Sequence, residues 1–159
     1  DILRHLQPTK PTALQADQPR GFFRLQARGL EENETFDYCV QLPDGYDPYR
    51  RYPTIVTLQG TGRLPEEQID WWAGSYDPQR GLRMGQAARH GYIVLAPAWQ
   101  RVGQPRYEYS AREHAAVLNS LRDACRRFSI DTARVFLTGH GIGGDAAWDL
   151  GLAHPDLLA

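Results

Sequence analysis

Cysteine is scarce: Cys39 and Cys125 are the only two in 159 residues. That is too few for a disulfide framework. Cys39 falls in a strand pattern and Cys125 in a helical one, so both are expected as buried free thiols. Excess charge is missing as well. A net charge of -1 removes the electrostatic case for nucleic acid or an anionic membrane surface. No apolar run approaches the roughly 18 residues of a membrane span, and no secretory leader pattern is visible. Internal repeats and low-complexity tracts are absent. Asp145 and Asp149 share a helix face at i, i+4, but no third ligand stands at metal spacing. They read as acidic charge favoured near a helix start. Neither a metal nor a cofactor is expected. The chain opens on Asp1 rather than Met, as a chain with its original N-terminus removed would.

What remains is ordinary globular composition, 42% apolar and 23% charged, in a length suited to one domain with a real core. Residues 1–20 hold Pro8, Pro11 and Pro19 with weak periodicity and read as a linker or extension. The domain proper is expected over 21–159. Phe22 to Ala27 and Thr35 to Leu42 alternate apolar and polar residues, an antiparallel pair by pattern. Thr54 to Leu58 is a β-branched run suited to a strand buried on both faces. It ends in the glycine-rich loop Gln59-Gly60-Thr61-Gly62. Residues 63–80 read as a long loop whose Trp71, Trp72 and Tyr76 either line a pocket or cover the core. Gly81 to His90 suits a short helix. Tyr92 to Ala96 is a second buried strand. Ser110 with Glu113 three residues on forms a capping box, opening a helix to about Phe128. Strands alternating with helices predict a mainly parallel sheet with right-handed crossovers.

The stretch that organises the rest is Arg134 to Trp148. Val135 to Leu137 reads as a buried strand, four glycines allow a sharp turn, and Asp145 to Ala153 continues as a helix. Strand, tight turn and helix is the setting of the G-x-S-x-G pattern. Here the frame is Gly139-His140-Gly141-Ile142-Gly143. The flanking glycines are present, and the position of the serine holds Gly141.

On these segments the chain resembles the α/β-hydrolase superfamily. It is most similar to the esterase and peptidase branch that includes phospholipase/carboxylesterase-like, polyhydroxybutyrate depolymerase-like and feruloyl-esterase-like proteins. The matching text is Tyr52 to Gly60, Arg89 to Pro97, Ile130 to Gly139, Gly143 to Leu150, and His154 to Asp156. The resemblance implies a mainly parallel sheet with helices on both faces. It covers only the N-terminal portion of that fold, through the nucleophile-elbow helix. It implies acyl-ester or peptide hydrolysis by ancestry, a small-molecule ester or peptide ligand, and an oxyanion hole at the backbone N–H groups of Ile142 and Thr61. Gly139, His140 and Gly143 take the elbow positions, with His140 structural.

There are three departures from the family pattern, of which the change to Gln59-Gly60 is mild because the oxyanion donors there are backbone N–H groups. The nucleophile position is Gly141, Gln59-Gly60 replaces a frequent His-Gly, and the acid and histidine that follow the elbow in such enzymes have no counterpart before Ala159. Ser75, Ser110, Ser120 and Ser129 lack a nucleophile motif, and His90, His114 and His154 read as structural or solvated. Trp148 reads as a packing residue of the elbow helix. Two readings stay open: a hydrolase scaffold inactive as written, or a non-catalytic pseudo-hydrolase module that binds a ligand or partner. The resemblance also places the elbow strand inside a sheet. Its outer edge is therefore expected to be covered by self-association, another chain or further residues.

Overall fold

The computed structural model describes residues 20–159; the extension expected over residues 1–20 lies, but for Arg20, outside them. Seven strands and four helices follow in chain order: β1 Phe22–Arg28, β2 Thr35–Gln41, β3 Tyr52–Leu58, α1 Pro65–Ala73, β4 Tyr76–Asp77, β5 Leu82–Arg83, α2 Gln86–Arg89, β6 Ile93–Pro97, α3 Ala111–Arg127, β7 Ile130–Gly139 and α4 Ile142–Ala153. Five strands form one sheet in the order β1-β2-β6-β3-β7, and β4 pairs with β5 as a small ribbon. β1–β2 and β2–β6 are antiparallel, while β3–β6 and β3–β7 are parallel.

Alternation along the strands divides the core between two faces. On one face Phe36, Tyr38, Val40, Val56, Leu58 and Leu95 pack with Val117, Leu121, Ala146 and Leu150 of α3 and α4. On the other, Cys39, Val94 and Ala96 pack with Ile69 and Ala73 of α1 and Ala87 of α2. Consecutive β6 residues thus go to opposite layers, which is why that strand is apolar throughout. Cys39 is buried and Cys125 half-buried, both as free thiols. Burial pushes the Cys39 thiol up to about 12 and that of Cys125 to about 11, so neither is a ready thiolate at neutral pH.

Half of the loop expected over 63–80 is helix α1. Pro65 occupies its first turn, and the Glu67 carboxylate accepts the Leu64 N–H at 2.8 Å. A nine-residue helix is marginal alone. Burying Ile69 completely contributes roughly 2–3 kcal/mol, so α1 forms because it docks. The helix expected over Gly81 to His90 shrinks to α2. Its start is displaced because Gly85 sits against the backbone of Ala73 and Gly74, where a Cβ would lie 2.2 Å from the Gly74 nitrogen. Arg83 fixes the ribbon there, donating to Gln41 Oε1, to the Gly74 carbonyl and to the Asp70 carboxylate.

Helix α3 begins as its capping box predicts. The Ser110 hydroxyl accepts the Glu113 N–H, and the Glu113 carboxylate accepts the Ser110 N–H and hydroxyl, the Glu108 N–H and the Gln104 amide. Burial works to raise the Glu113 pKa, but these donors outweigh it and the net shift is downward.

β7 is longer than the expected strand and lies at the edge of the sheet. The His140 N–H reaches the Leu58 carbonyl of β3, whereas the Val135 carbonyl accepts the Ala159 N–H from outside. Because backbone groups alternate along a strand, residues 136 and 138 face β3 and residues 135, 137 and 139 face outward. Phe136 is 37% exposed beside this edge.

The turn after β7 is pressed onto the end of β3. A Cβ on Gly143 would lie 2.2 Å from the Leu58 carbonyl oxygen, and one on Gly139 would lie 1.9 Å from the Gly143 oxygen. Any side chain at either position displaces backbone, not a movable side chain.

Gly143→Ala is therefore expected to destabilise the protein by about 3 kcal/mol through overpacking. Gly151→Ala, in open space within α4, should stabilise by roughly 0.5–1 kcal/mol from helix propensity. Urea denaturation of both variants checks the contrast; equal effects would contradict the packing. Glu113→Gln should cost about 2 kcal/mol near neutral pH, as a lost set of charge-assisted hydrogen bonds. A depressed carboxylate stabilises above its unfolded value, 4.5 here, and loses that contribution as pH falls through the lower folded value. The stability gap between Glu113→Gln and the parent should accordingly narrow below about pH 4.5, and denaturation curves from pH 3 to 7 test it.

Candidate functional site

The parallel strands β3 and β7 end side by side, and their carboxyl ends carry the two segments that the sequence singled out. After β7, His140 to Gly143 make a tight turn closed by the Gly143 N–H on the His140 carbonyl at 2.9 Å. Gly141 sits at its second position with φ 56° and ψ -126°. Those are the angles of the first central residue in a type II′ turn, where glycine is favoured because a Cβ is strained. The space is nonetheless open. Apart from its chain neighbours, a Cβ on Gly141 would meet only the Gly60 Cα, at 3.9 Å. The backbone bends sharply there, with room for a side chain that Gly141 lacks.

Gly141 is also the N-cap of α4, and Ile142 is the first helical residue. The N–H of Ile142 has no acceptor within the helix, and the helix dipole adds partial positive charge there. Across from it runs the loop after β3. Gly60 is buried against the turn, with the His140 oxygen 3.1 Å from where its Cβ would be. Gln100 donates to the Gly60 carbonyl at 2.8 Å, which holds the loop from the far side. Thr61 is exposed at its tip. Gln59 is almost fully buried, and its Oε1 has no hydrogen-bond partner among the described residues. The structure thus brings together Gly139, His140, Gly141, Ile142 and Gly143 with the Gly60–Gly62 loop that carries Thr61.

A cleft of about 390 Å³ opens beside the turn, between α1 and the end of β7. Thr57, Gln68, Trp71, Trp72, Thr138 and His140 line it. The Trp72 indole donates to Thr57 Oγ1 at 3.1 Å, and the Thr57 hydroxyl donates to Gln68 Oε1 at 2.7 Å. The Trp71 indole is 80% exposed. Both tryptophans, expected on a loop, lie on α1; the spacing of Ile69 to Trp72 and Ala73, i+3 and i+4, is the helical signal. Two other depressions lie away from the elbow. One of about 430 Å³ is at the opposite end of the sheet around Gln41 and Leu42, and one of about 1010 Å³ flanks β1 and β2.

One polar cluster had no signal in the sequence. Asp149 of α4 accepts from the Tyr107 hydroxyl at 2.7 Å and lies 2.8 Å from His114 Nε2. The Tyr107 hydrogen bond, then that of His114, holds the Asp149 carboxyl below the usual range. Burial, then the Asp149 bond, pushes the Tyr107 phenol up. Tyr109, two residues on, has φ 56°, and its ring lies 4.5 Å from that of Tyr107, tilted by 50°. The His154 ring meets that of His114 edge-on at 5.6 Å. The cluster ties the elbow helix to α3 and to the loop after β6. Asp145 takes no part, being exposed on the helix surface. Trp148, expected to pack, is 73% exposed instead, because the buried stripe of α4 falls on Gly143, Ala146 and Leu150.

The remaining serines are occupied elsewhere or remote in the chain. Ser110 caps α3, Ser120 donates to the Ala116 carbonyl and Ser129 to the Pro48 carbonyl. Ser75 lies exposed just after α1. Among the described residues no three His, Cys, Asp or Glu side chains converge as a metal site. No helix there is long and apolar enough to cross a membrane.

No family model and no curated protein sequence matches the chain. Solved structures do. A thermostable esterase matches at 23% identity and TM-score 0.63, over 89% of this chain and 40% of its own. An S-formylglutathione hydrolase from Staphylococcus aureus matches at 16% identity and TM-score 0.65, over 87% of this chain and 54% of its own. A ferulic acid esterase from Anaeromyces mucronatus matches at 14% identity and TM-score 0.59, over 92% of this chain and 58% of its own. The chain therefore spans about half the length of these proteins, and at such identities the likeness is one of fold. Strand order, the bend at Gly141 and these matches converge on one architecture: the chain carries the α/β-hydrolase fold from its first strands through the elbow helix.

Proposed function

We propose that this chain is a hydrolase scaffold of the acyl-transfer type that is hydrolytically silent as written. One observation carries the reading: Gly141 keeps the elbow's backbone angles and its open space, without a side chain that can attack a carbonyl. In this reading the N–H groups of Ile142 and Thr61 act as the oxyanion hole. They would stabilise charge on an acyl oxygen only if a nucleophile delivered it. An ester or peptide is the ligand class that such a site accommodates.

The cleft beside the turn favours a second reading, in which the site binds a small molecule without converting it. Preformed clefts of this size with aromatic walls are ordinary ligand sites, and this one also carries Arg63 and Glu67 among its lining residues. The outer edge of β7 belongs to the same proposal. Its outward N–H and C=O groups beyond the Val135 carbonyl, which the Ala159 N–H already occupies, suit pairing with a further strand, from another chain or another part of this one.

p-Nitrophenyl acetate hydrolysis by the purified protein is expected to stay at the buffer rate, and turnover that persists through further purification would overturn the proposal. Gly141→Ser should leave the rate at background. A serine hydroxyl needs a positioned base, and among the described residues the Asp149–His114 pair is engaged with Tyr107 rather than with the turn. The same substitution should lower stability by roughly 1–2 kcal/mol, the strain of an L-residue at positive φ. Strong ester turnover by Gly141→Ser would mean that a base is already in place.

A further inference from the structure

We infer that the depression around Gln41, at the opposite end of the sheet from the turn at Gly141, is a binding site for a small carboxylate on an aliphatic body. Its volume is about 430 Å³, within the range of small-molecule sites. The side chain at its centre is Gln41, 4% exposed. The Gln41 amide donates to the Arg20 and Leu42 carbonyls at 3.0 Å, and its Oε1 accepts the Arg83 Nε–H at 2.9 Å. One buried glutamine therefore ties two arginines to the same wall, and both line the depression. Arg83 is the anchor. Its side chain is 8% exposed, and its guanidinium carbon lies 5.8 Å from the centre of the Phe22 ring. Nε is taken by Gln41, and Nη1 by the Asp70 carboxylate and the Gly74 carbonyl. Nη2 takes no acceptor among the described residues and is not sealed from solvent. That open edge is what Arg83 offers a ligand. A guanidinium already ordered on three acceptors loses little further freedom when an anion binds it.

Charge decides the ligand class. Asp70 already balances Arg83, so the exposed Arg20 supplies the attraction. Asp44, also exposed, lines the depression as well. This balance suits a single negative charge, because a dianion meets twice the repulsion from Asp44. Phe23, Tyr46 and Leu82, each half-buried, form the apolar part of the wall. An aliphatic tail against them gains by the area it removes from water. These residues belong to β1, the loop after β2 and the small ribbon. The site therefore stands apart from β7, its outer edge and the cleft beside Gly141.

The test follows the backbone amide cross-peaks of Gly21, Gly45 and Gly81, which line the depression, with Gly141 and Gly143 as controls. Hexanoate is the probe, hexanamide its neutral counterpart and inorganic phosphate a bare anion. Hexanoate should shift the three lining peaks saturably and leave both controls in place. Hexanamide should bind roughly tenfold more weakly, through loss of a charge-assisted hydrogen bond. Phosphate should also bind more weakly than hexanoate. Arg20→Gln should weaken hexanoate about threefold and Asp44→Asn should strengthen it about threefold, as exposed charges do. Arg83→Gln should abolish binding but also removes a bond that holds the ribbon, so the two surface variants carry the test. Opposite shifts at two exposed positions are a readout that a purely structural wall would not give. Absence of saturable shifts below about 10 mM hexanoate would overturn the inference. Equal affinity for hexanamide or phosphate, or an affinity that neither surface variant moves, would overturn it as well.

Discussion

The first turn of α4 rests on the end of β3, backbone on backbone. Gly143 can approach the Leu58 carbonyl only because it has no Cβ, and Gly139 can approach Gly143 only for the same reason. The two absences fix the angle at which the chain leaves β7 and enters α4. They also fix the height of Gly141 above the sheet and its distance from Gly60. Hydrophobic packing of Ala146 and Leu150 against the sheet supplies most of the energy that holds α4 down. The glycines decide where it is held.

Polar contacts then position the opposite side of the site. The loop after β6 is a bracket with three attachment points. Gln100 holds Gly60, Gln104 is held by Glu113, and Tyr107 holds Asp149. One loop therefore reaches the loop after β3, the start of α3 and α4 together. Each of these bonds is modest alone. Because they share a single short segment, loosening one affects the geometry presented to the others.

Much of this was legible from the residue pattern. The apolar runs at β3 and β6, the alternation in β1 and β2, the Ser110–Glu113 box and the glycine frame around Gly141 all act locally. Local rules therefore find them. Helix α1 was missed because its stabilisation comes from docking Ile69 and Ala73 on the sheet, while its polar and aromatic residues look like those of a loop. The Gly81–His90 helix was overextended because Gly85 is constrained by Gly74, eleven residues earlier, and not by its own neighbours. The Tyr107–His114–Asp149 cluster was invisible. Its members come from a loop and two helices up to 42 residues apart in the chain, and their spacing resembles nothing in particular. Trp148 lies off the buried stripe of α4, which runs through Gly143, Ala146 and Leu150.

Gly141 also changes what holding the turn costs. An ordinary L-residue at φ 56° and ψ -126° stores roughly 1–3 kcal/mol of backbone strain, which the surrounding packing must overcome at all times. Glycine relieves that strain, at an entropic cost in the unfolded chain of about 0.5–1 kcal/mol. Glycine at this position is thus close to neutral or favourable for the folded state. The bend can persist without a side chain at its apex, because nothing in its own energetics favours straightening it.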